Sequence, residues 1–552
     1  MTDTPHSPSG LTEFLPKIVT VWLEGYRLSD LRADAMAGLT VAIVALPLSM
    51  AIAIACGVGP ERGLYTAIVG GFLVSALGGS RHQVGGPAGA FIVLISACVM
   101  AIGLDGLILA TFLSGFVLIA AGVLRFGTYI RFIPYPVTVG FTAGIAVIIF
   151  ASQLREMFGL TLASPEPAEI LHKVQALWAA KGTFSGAAFA IAGLTAAIIL
   201  GLRRLRPHWP GMLIAVALAS AVAALAGLEV ATIGSRFGDL PHLLPAPSLP
   251  SFSGAAVTDA LPWALSFALL GAIESLLSAV VADGMSGARH RSNAELVAQG
   301  VANIGSAVFG GFCVTGTIVR TATNVRAGSR GPVSGMLHAV FLLVFMLVAA
   351  PLAVFIPLAA LAGVLGVVAW GMAERQEFAS LLRSSRADAM VVGVTFLLVV
   401  FRDLTEGIVV GFALAGLVFI RRMSEATGVR LPAEGRPQDD QARSDRVVYH
   451  LQGPYFFGAA AQLGGVLERI AEAPRAFVLD MTDVPLIDSS GARSFHMLAG
   501  RARRRGGQLY LVGLGAALRH QLEAQGLREP EVRYLPDMDA VDAELDRPAD
   551  SA

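Results

Sequence analysis

From about Ala35 to Ile420 one apolar segment follows another, with short polar breaks between them. Such a run admits few folds, because backbone N–H and C=O groups in lipid must be satisfied internally, which leaves helices that cross a bilayer. Composition agrees. Hydrophobic residues make up 55% of the 552 and charged residues 14%, and mean hydropathy is +0.68, so most of the chain belongs in a membrane. Formal net charge is zero, without the basic excess that a nucleic-acid partner would need. Cys56, Cys98 and Cys313 stand in apolar surroundings without metal-ligand spacing and read as small buried hydrophobes. Neither a metal nor a cofactor is expected.

Fourteen spans are read, near 35–56, 64–78, 88–103, 107–124, 136–153, 185–202, 210–227, 262–283, 295–309, 316–326, 332–352, 357–372, 388–401 and 405–420. Several fall short of the roughly 20 helical residues that ~30 Å of hydrocarbon requires. The spans near 88 and 316 each follow a Gly-rich break, Gly78-Gly79-Ser-Arg-His-Gln-Val-Gly-Gly-Pro87 and Gly310-Gly311-Phe-Cys-Val-Thr-Gly-Thr317. Irregular backbone at membrane depth is tolerated where it lines a cavity or is buried in protein. Two broken helices meeting head to head would look like this. Phe132-Ile-Pro134 and Phe355-Ile-Pro357 open apolar spans in the same order, which fits two seven-span halves, the second inverted.

Met1 to about Asp30 is polar, with no signal-peptide pattern, so the first span serves as its own insertion signal. With the N-terminus inside, the inner loops receive Arg125, Arg131, Arg203, Arg204, Arg206, Arg289, Arg291, Arg330, Arg383, Arg386, Arg421 and Arg422. That bias over short loops, with an even span count, places both termini in the cytoplasm. The expected division is a cytoplasmic segment 1–34, a transmembrane domain 35–424, a linker 425–445, a soluble α/β domain 446–545 and a tail 546–552. In the soluble domain 447–451, 476–480 and 508–512 read as strands, and 459–470, 489–504 and 516–524 as helices. Residues from about 540 read as a frayed acidic tail.

Arg320 is the charge that most needs a reason, because an intramembrane arginine is costly unless it meets water, a counter-charge or an anion. The span it sits on opens at Thr315-Gly316-Thr317, whose free N–H groups and positive dipole end suit an anion. Helix packing or snorkelling to an interface is the plainer alternative. Upstream, Pro87 opens a helix at its first turn, and Ala88, Gly89 and Ala90 would let an anion approach the amides; close packing by small residues is the alternative there. Glu274 lies mid-span beside Ser275 and Ser278. It reads as a carboxylate that couples a proton or sodium to the anion, or else as a structural partner of Arg320 or a buried neutral acid. Asp283 marks the cytoplasmic end of that helix, Arg81 and His82 face the cytosol, with gating of the inner vestibule as the alternative, and Asn293 and Glu295 begin the next helix as cap and first-turn acid. No catalytic triad, HExxH or P-loop pattern has workable context, so an enzyme is not expected. Asp488-Ser489-Ser490-Gly491 reads as a helix cap, with Ser490 a candidate for phosphorylation or partner docking.

Taken together, Ala45-Leu-Pro47-Leu-Ser-Met-Ala51, Gly63-Leu-Tyr65, Gly78-Gly79-Ser80 through Gly86-Pro87, Ser292-Asn293-Ala-Glu295-Leu and Gly310 to Gly328 resemble the SulP family of anion transporters. These are bacterial relatives of the sulfate-permease solute carriers and of prestin, and the C-terminal domain resembles STAS. The resemblance implies a polytopic α-helical membrane protein with a seven-plus-seven inverted repeat, core and gate subdomains, and homodimers with STAS domains in contact. It implies an anion held by Ala88, Gly89, Thr317, Ile318 and Arg320, with Glu274 at the coupling position. Where cyanobacterial bicarbonate members carry an acid and a threonine before the third helix, this chain has Gly86-Pro87-Ala88. The Gly316-Thr-Ile-Val-Arg320-Thr-Ala-Thr-Asn324-Val-Arg-Ala-Gly328 pattern resembles bacterial members that move four-carbon dicarboxylates with protons. The expectation is proton-coupled import of a dicarboxylate across the inner membrane, with sulfate or bicarbonate transport, or an uncoupled anion channel, as alternatives.

Overall fold

A computed structural model describes residues 13–130, 134–164, 166–167, 169–206, 209–402, 404–426, 428–430, 446–455 and 475–546. The chain forms two compact units, Met1–Phe412 and Ala413–Ala552. In the first, α1 (Lys17–Leu23) precedes α2 (Leu28–Ala55). Then come α3 (Pro60–Tyr65), with proline in its first turn, a π turn over Thr66–Gly70, and α4 (Gly71–Leu77). After the first Gly-rich break, β1 (Gly85–Gly86) and a 3-10 turn (Gly89–Phe91) lead into α5 (Ile92–Val123). Gly103 inside α5 has φ +71° and ψ −175°, a conformation that favours glycine, so α5 is two helices bent where two spans were read. The chain continues through α6 (Gly127–Ile130), α7 (Tyr135–Phe158), α8 (Ile170–Ala179), α9 (Gly186–Leu205), α10 (Gly211–Leu225) and α11 (Ile233–Phe237).

The second half runs through α12 (Gly254–Ser286), α13 (Ser292–Val308), β2 (Thr315–Gly316), α14 (Ile318–Arg326) and α15 (Val333–Ala353). It ends in α16 (Leu358–Met372), α17 (Arg375–Ser384), α18 (Arg386–Phe401) and α19 (Leu404–Ala426). Each segment read as a span contains helix. Among the described residues, eight helices are long and apolar enough to cross a membrane. The paired openings recur in three dimensions: Pro134 at φ −64°, ψ 139° starts α7, and Pro357 at φ −66°, ψ 136° starts α16. Phe132 and Ile133 lie outside the described residues.

Packing sorts these helices into two groups. In one, α2 packs on α3, α14 and α15, and α5 packs on α12 and α13. In the other, α7 packs on α16 and α18, and α9 on α10 and α16. Small residues bring helices of the first group close, as expected where lipid gives no hydrophobic drive for association. A Cβ at Gly115 would lie 2.6 Å from the Gly300 carbonyl oxygen, and one at Gly300 would meet the Gly115 carbonyl in return. Between the groups, α2 touches α10 and α16.

The second unit carries a five-stranded sheet in the order β3 (Gly428–Arg430), β4 (Arg446–Gln452), β5 (Ala476–Asp483), β6 (Gln508–Val512) and β7 (Val532–Leu535). The β3–β4 pair is antiparallel and the others are parallel. Alternate residues feed two layers: Phe477, Leu479, Leu509 and Leu511 pack with Phe495 of α20 (Ser489–Arg504), while Val478, Tyr510 and Val512 pack on the other face. α21 (Ala516–Ala524) follows the sequence reading. The helix expected at 459–470 lies outside the described residues. The acidic tail expected from about 540 begins instead as α22 (Met538–Leu545), capped by Asp537 accepting the Ala540 N–H at 2.9 Å, with Val541 buried against the sheet. One apolar stripe among many acids suffices, because the sheet face beneath it must be covered. The short β3 and β7 gave too little alternation to read.

Candidate functional site

The two Gly-rich breaks meet. β1 and β2 pair antiparallel, Gly85 opposite Gly316 and Gly86 opposite Thr315. Beyond the pair, Thr317 donates its N–H to the Val84 carbonyl at 3.1 Å, and the Val84 N–H donates to Thr321 Oγ1 at 3.1 Å. The ribbon sets the openings of the 3-10 turn before α5 and of α14 side by side. Neither opening is capped by its own side chain, since Ala88 and Thr317 occupy the cap positions without a cap hydrogen bond. First-turn amides at both ends therefore stay available as donors. Of the residues read as anion contacts, Ala88, Ala90, Gly316, Thr317 and Arg320 are buried, while Gly89 and Ile318 are partly open. A Cβ at Gly89 would lie 2.9 Å from Ile149 Cδ1 of α7, so the open side faces the second helix group.

Arg320 is fully buried. Its Nη2 donates to Ser49 Oγ at 3.0 Å and to the Pro87 carbonyl at 3.4 Å, and Nη1 to the Gly85 carbonyl at 3.4 Å. Its Nε has no partner, and no described carboxylate pairs with it. The guanidinium lies directly over Gly86, where a Cβ would overlap Nη1. A buried cation held by neutral acceptors is an uncompensated charge, which is costly unless an anion arrives.

Glu274 stands on the α12 face that braces the ribbon. Gly271 accepts from Thr315 Oγ1 at 3.1 Å, Ser275 Oγ accepts from Gln83 Nε2 at 2.7 Å, and Ser278 Oγ donates to Thr321 Oγ1 at 3.0 Å. These positions repeat at helical spacing with Glu274 beside them. Glu274 is 7% exposed and makes neither a hydrogen bond nor an ion pair with a described residue. The structural pairing with Arg320 that the sequence allowed is absent. Asp283 lies in the last turn of α12 and accepts from His290, in keeping with a helix end.

Other readings change. Asn293 is the second residue of α13 rather than its cap, a place taken by Arg291, and its amide reaches Glu13. Glu295 is a first-turn acid, but fully buried: it accepts from the Ser80 N–H at 3.0 Å and from Gln83 Nε2 at 2.7 Å, tying the first break to α13. Arg81 pairs with Glu24, whereas His82 is buried against Ser329 Oγ at 2.9 Å instead of facing the cytosol. Sequence reasoning missed Ser49 and His338, which sit in unbroken apolar spans and carry no local signal. Gln83 lies inside the first break and Thr321 follows Arg320 on α14, and both were within its reach. In the second unit, Asp488 caps α20 by accepting the Gly491 N–H at 2.7 Å, and Ser490 is exposed in the first turn.

Comparison with known proteins places this geometry. The Sulfate permease family matches residues 31–395 and the STAS domain matches residues 437–533. A Bacillus subtilis protein named "Putative sulfate transporter YvdB" is 41% identical over 515 residues, 91% of this chain and 95% of its own length. The "Bicarbonate transporter BicA" of Synechocystis is 29% identical over 540 residues, covering 93% of each. Among solved structures, murine Slc26a9, an anion transporter in the inward-facing state, superposes with a TM-score of 0.84 at 19% identity, over 98% of this chain and 96% of that one. The transmembrane domain of a cyanobacterial BicA gives 0.62 at 30% identity, over 71% of this chain and 98% of that one. With its buried cation at a ribbon of two broken helices and an α/β domain after them, this chain belongs to the sulfate permease family of multi-pass membrane anion transporters, with a STAS domain at its C-terminal end.

Proposed function

We propose that the protein imports a dicarboxylate of the succinate or fumarate kind together with a proton, by alternating access across the inner membrane. One observation carries the site: the fully buried guanidinium of Arg320, without a carboxylate partner among the described residues, beside two uncapped helix starts. The anion is held by Ala88, Gly89, Ala90, Gly316, Thr317, Ile318 and Arg320. Glu274, buried on the bracing helix and unpaired among the described residues, takes the coupled proton or, in its place, sodium. The Gly316–Gly328 pattern supports the dicarboxylate. The names of the relatives support sulfate or bicarbonate as a second reading of the same site. The protein works as a homodimer with both termini cytoplasmic, and Ser490 offers a phosphate a place at a helix N-terminus.

Uptake of labelled succinate and sulfate into proteoliposomes, with and without an inward proton gradient, tests this. Gradient-stimulated succinate uptake that sulfate does not compete is expected; sulfate uptake alone moves the substrate to inorganic anions, and accumulation of neither rejects the import reading. Arg320→Ala is expected to weaken binding by about thirtyfold or more, the cost of losing a buried charge partner at roughly 2 kcal/mol or above. Unchanged uptake by that variant refutes the site. Glu274→Gln is expected to leave anion exchange intact and to lower the stimulation of uptake by the proton gradient; unaltered stimulation removes Glu274 from coupling.

A further inference from the structure

His338 on α15 is fully buried, and neither ring nitrogen has a hydrogen-bond partner among the described residues. The Gly335 carbonyl one turn earlier lies beside the ring without hydrogen-bond geometry. The place it occupies is defined by the first break. A Cβ at Gly71 would stand 2.9 Å from the Gly85 carbonyl oxygen and 3.8 Å from His338 Cε1, so the imidazole and the β1 backbone border the same space that Gly71 leaves. The same Gly85 carbonyl accepts from Arg320 Nη1. Among the described residues, Arg320 Nε and both His338 nitrogens are unpartnered. Buried polar groups are nearly always satisfied, so unsatisfied nitrogens on both residues near one ribbon carbonyl call for an explanation.

We propose that His338 is a second cationic group of the anion site, charged when the site holds a dianion and neutral when it holds a monoanion. This rests on the reading of Arg320 as the anion's partner. With Arg320 alone, a dianion would leave one buried negative charge uncompensated; one proton taken from bulk water onto the His338 imidazole balances it. A monoanion is balanced by Arg320 already, and a second cation there would be repelled. The surroundings offer no competing charge. α15 packs against α2, α3, α4 and the π turn. α4 and the π turn contain no titratable side chain. On α3, Arg62 donates to the Gly310 carbonyl and lies near Glu61. On α2, Asp34 accepts the Arg330 and Gly331 N–H groups and the Tyr26 hydroxyl. His82 is held by Ser329, and Glu295 by Ser80 and Gln83. Among the described residues, Arg320 is the charged group that acts on the imidazole.

The test is binding of fumarate and of monomethyl fumarate, a dianion and a monoanion throughout this range, to the purified full-length protein between pH 5.5 and 8.5, by titration calorimetry. In the parent protein fumarate affinity is expected to gain on monomethyl fumarate affinity by up to tenfold per unit fall in pH, the limit for one linked proton. His338→Gln is expected to remove that difference. Retention of the difference in His338→Gln, with Arg320→Ala failing to bind fumarate, overturns the proposal and leaves the anion site standing. Fumarate binding by Arg320→Ala at parental affinity, or no binding of either anion by the parent, overturns both. Should His338→Gln not fold, ring-labelled histidine spectra of the parent with saturating fumarate at pH 6 decide: a neutral His338 overturns the proposal.

Discussion

At the scale of single residues, the site depends as much on side chains that are missing as on those present. Gly86 has no Cβ, and the Arg320 guanidinium occupies that space, with Cζ 2.7 Å from where a Cβ would be. Gly86→Ala must therefore push Arg320 off Ser49, Pro87 and Gly85 together. Gly103 makes the control: nothing lies within 4 Å of its would-be Cβ, and its φ of +71° with ψ −175° alone makes alanine unfavourable, by about 1–3 kcal/mol. Gly86→Ala is expected to lose the anion-dependent rise in melting temperature, and Gly103→Ala to melt earlier yet keep that rise. An unchanged anion response in Gly86→Ala would remove the ribbon from the site. Arg320 was legible in the sequence because a charge in an apolar run stands out. Its contact with Gly86 was not, because a glycine in a break reads as flexibility until something is seen to lie against it.

At the scale of elements, the breaks and the helices after them were legible, since Gly-Gly and Gly-Pro interrupt hydrophobic runs that are otherwise continuous. The ribbon joining them was not, because two residues per strand carry no alternation. The STAS helices show the same division: α20 is fixed by Asp488 and its apolar stripe, whereas α22 is acidic enough to read as a tail. What locks α20 in place is tertiary. Burial works against a charge on His496, but the hydrogen bonds to Glu531 at 3.1 Å and to the Gln525 carbonyl at 3.1 Å, with the Glu531 charge, outweigh it and raise its pKa. A raised histidine pKa gives stability that is complete below about pH 6.5, the unfolded value, and is lost as pH rises through the folded one. Amide protection of α20 in the full-length protein, corrected for intrinsic exchange, is therefore expected to fall between pH 6 and pH 8. His496→Gln should be flat over that range, at the level the parent reaches at high pH. Equal slopes in both would show that the His496–Glu531 contact does not hold the helix.

At the scale of the membrane unit, the two helix groups supply the means for alternating access. The buried cation and both helix starts belong to the first group, and Gly89 meets Ile149 of the second. Away from that contact, Leu46, Met50 and Met346 of the first group and Leu213 and Val216 of the second line an apolar cavity of about 400 Å³. A loosely filled apolar seam allows one group to slide against the other without breaking hydrogen bonds, which a polar seam would not. Bridging the seam should stop transport without touching the site. With Cys56, Cys98 and Cys313 replaced by alanine, Leu46→Cys and Leu213→Cys joined by a short, reducible bifunctional thiol reagent are expected to lower uptake to background. Anion affinity in detergent should stay within about twofold of the unbridged protein, because the ribbon, Arg320 and Glu274 all move as part of one group. Reduction of the reagent should restore uptake. Full uptake with the bridge complete by mass would mean that the anion crosses without relative movement of the two groups, and would favour an uncoupled channel over a carrier.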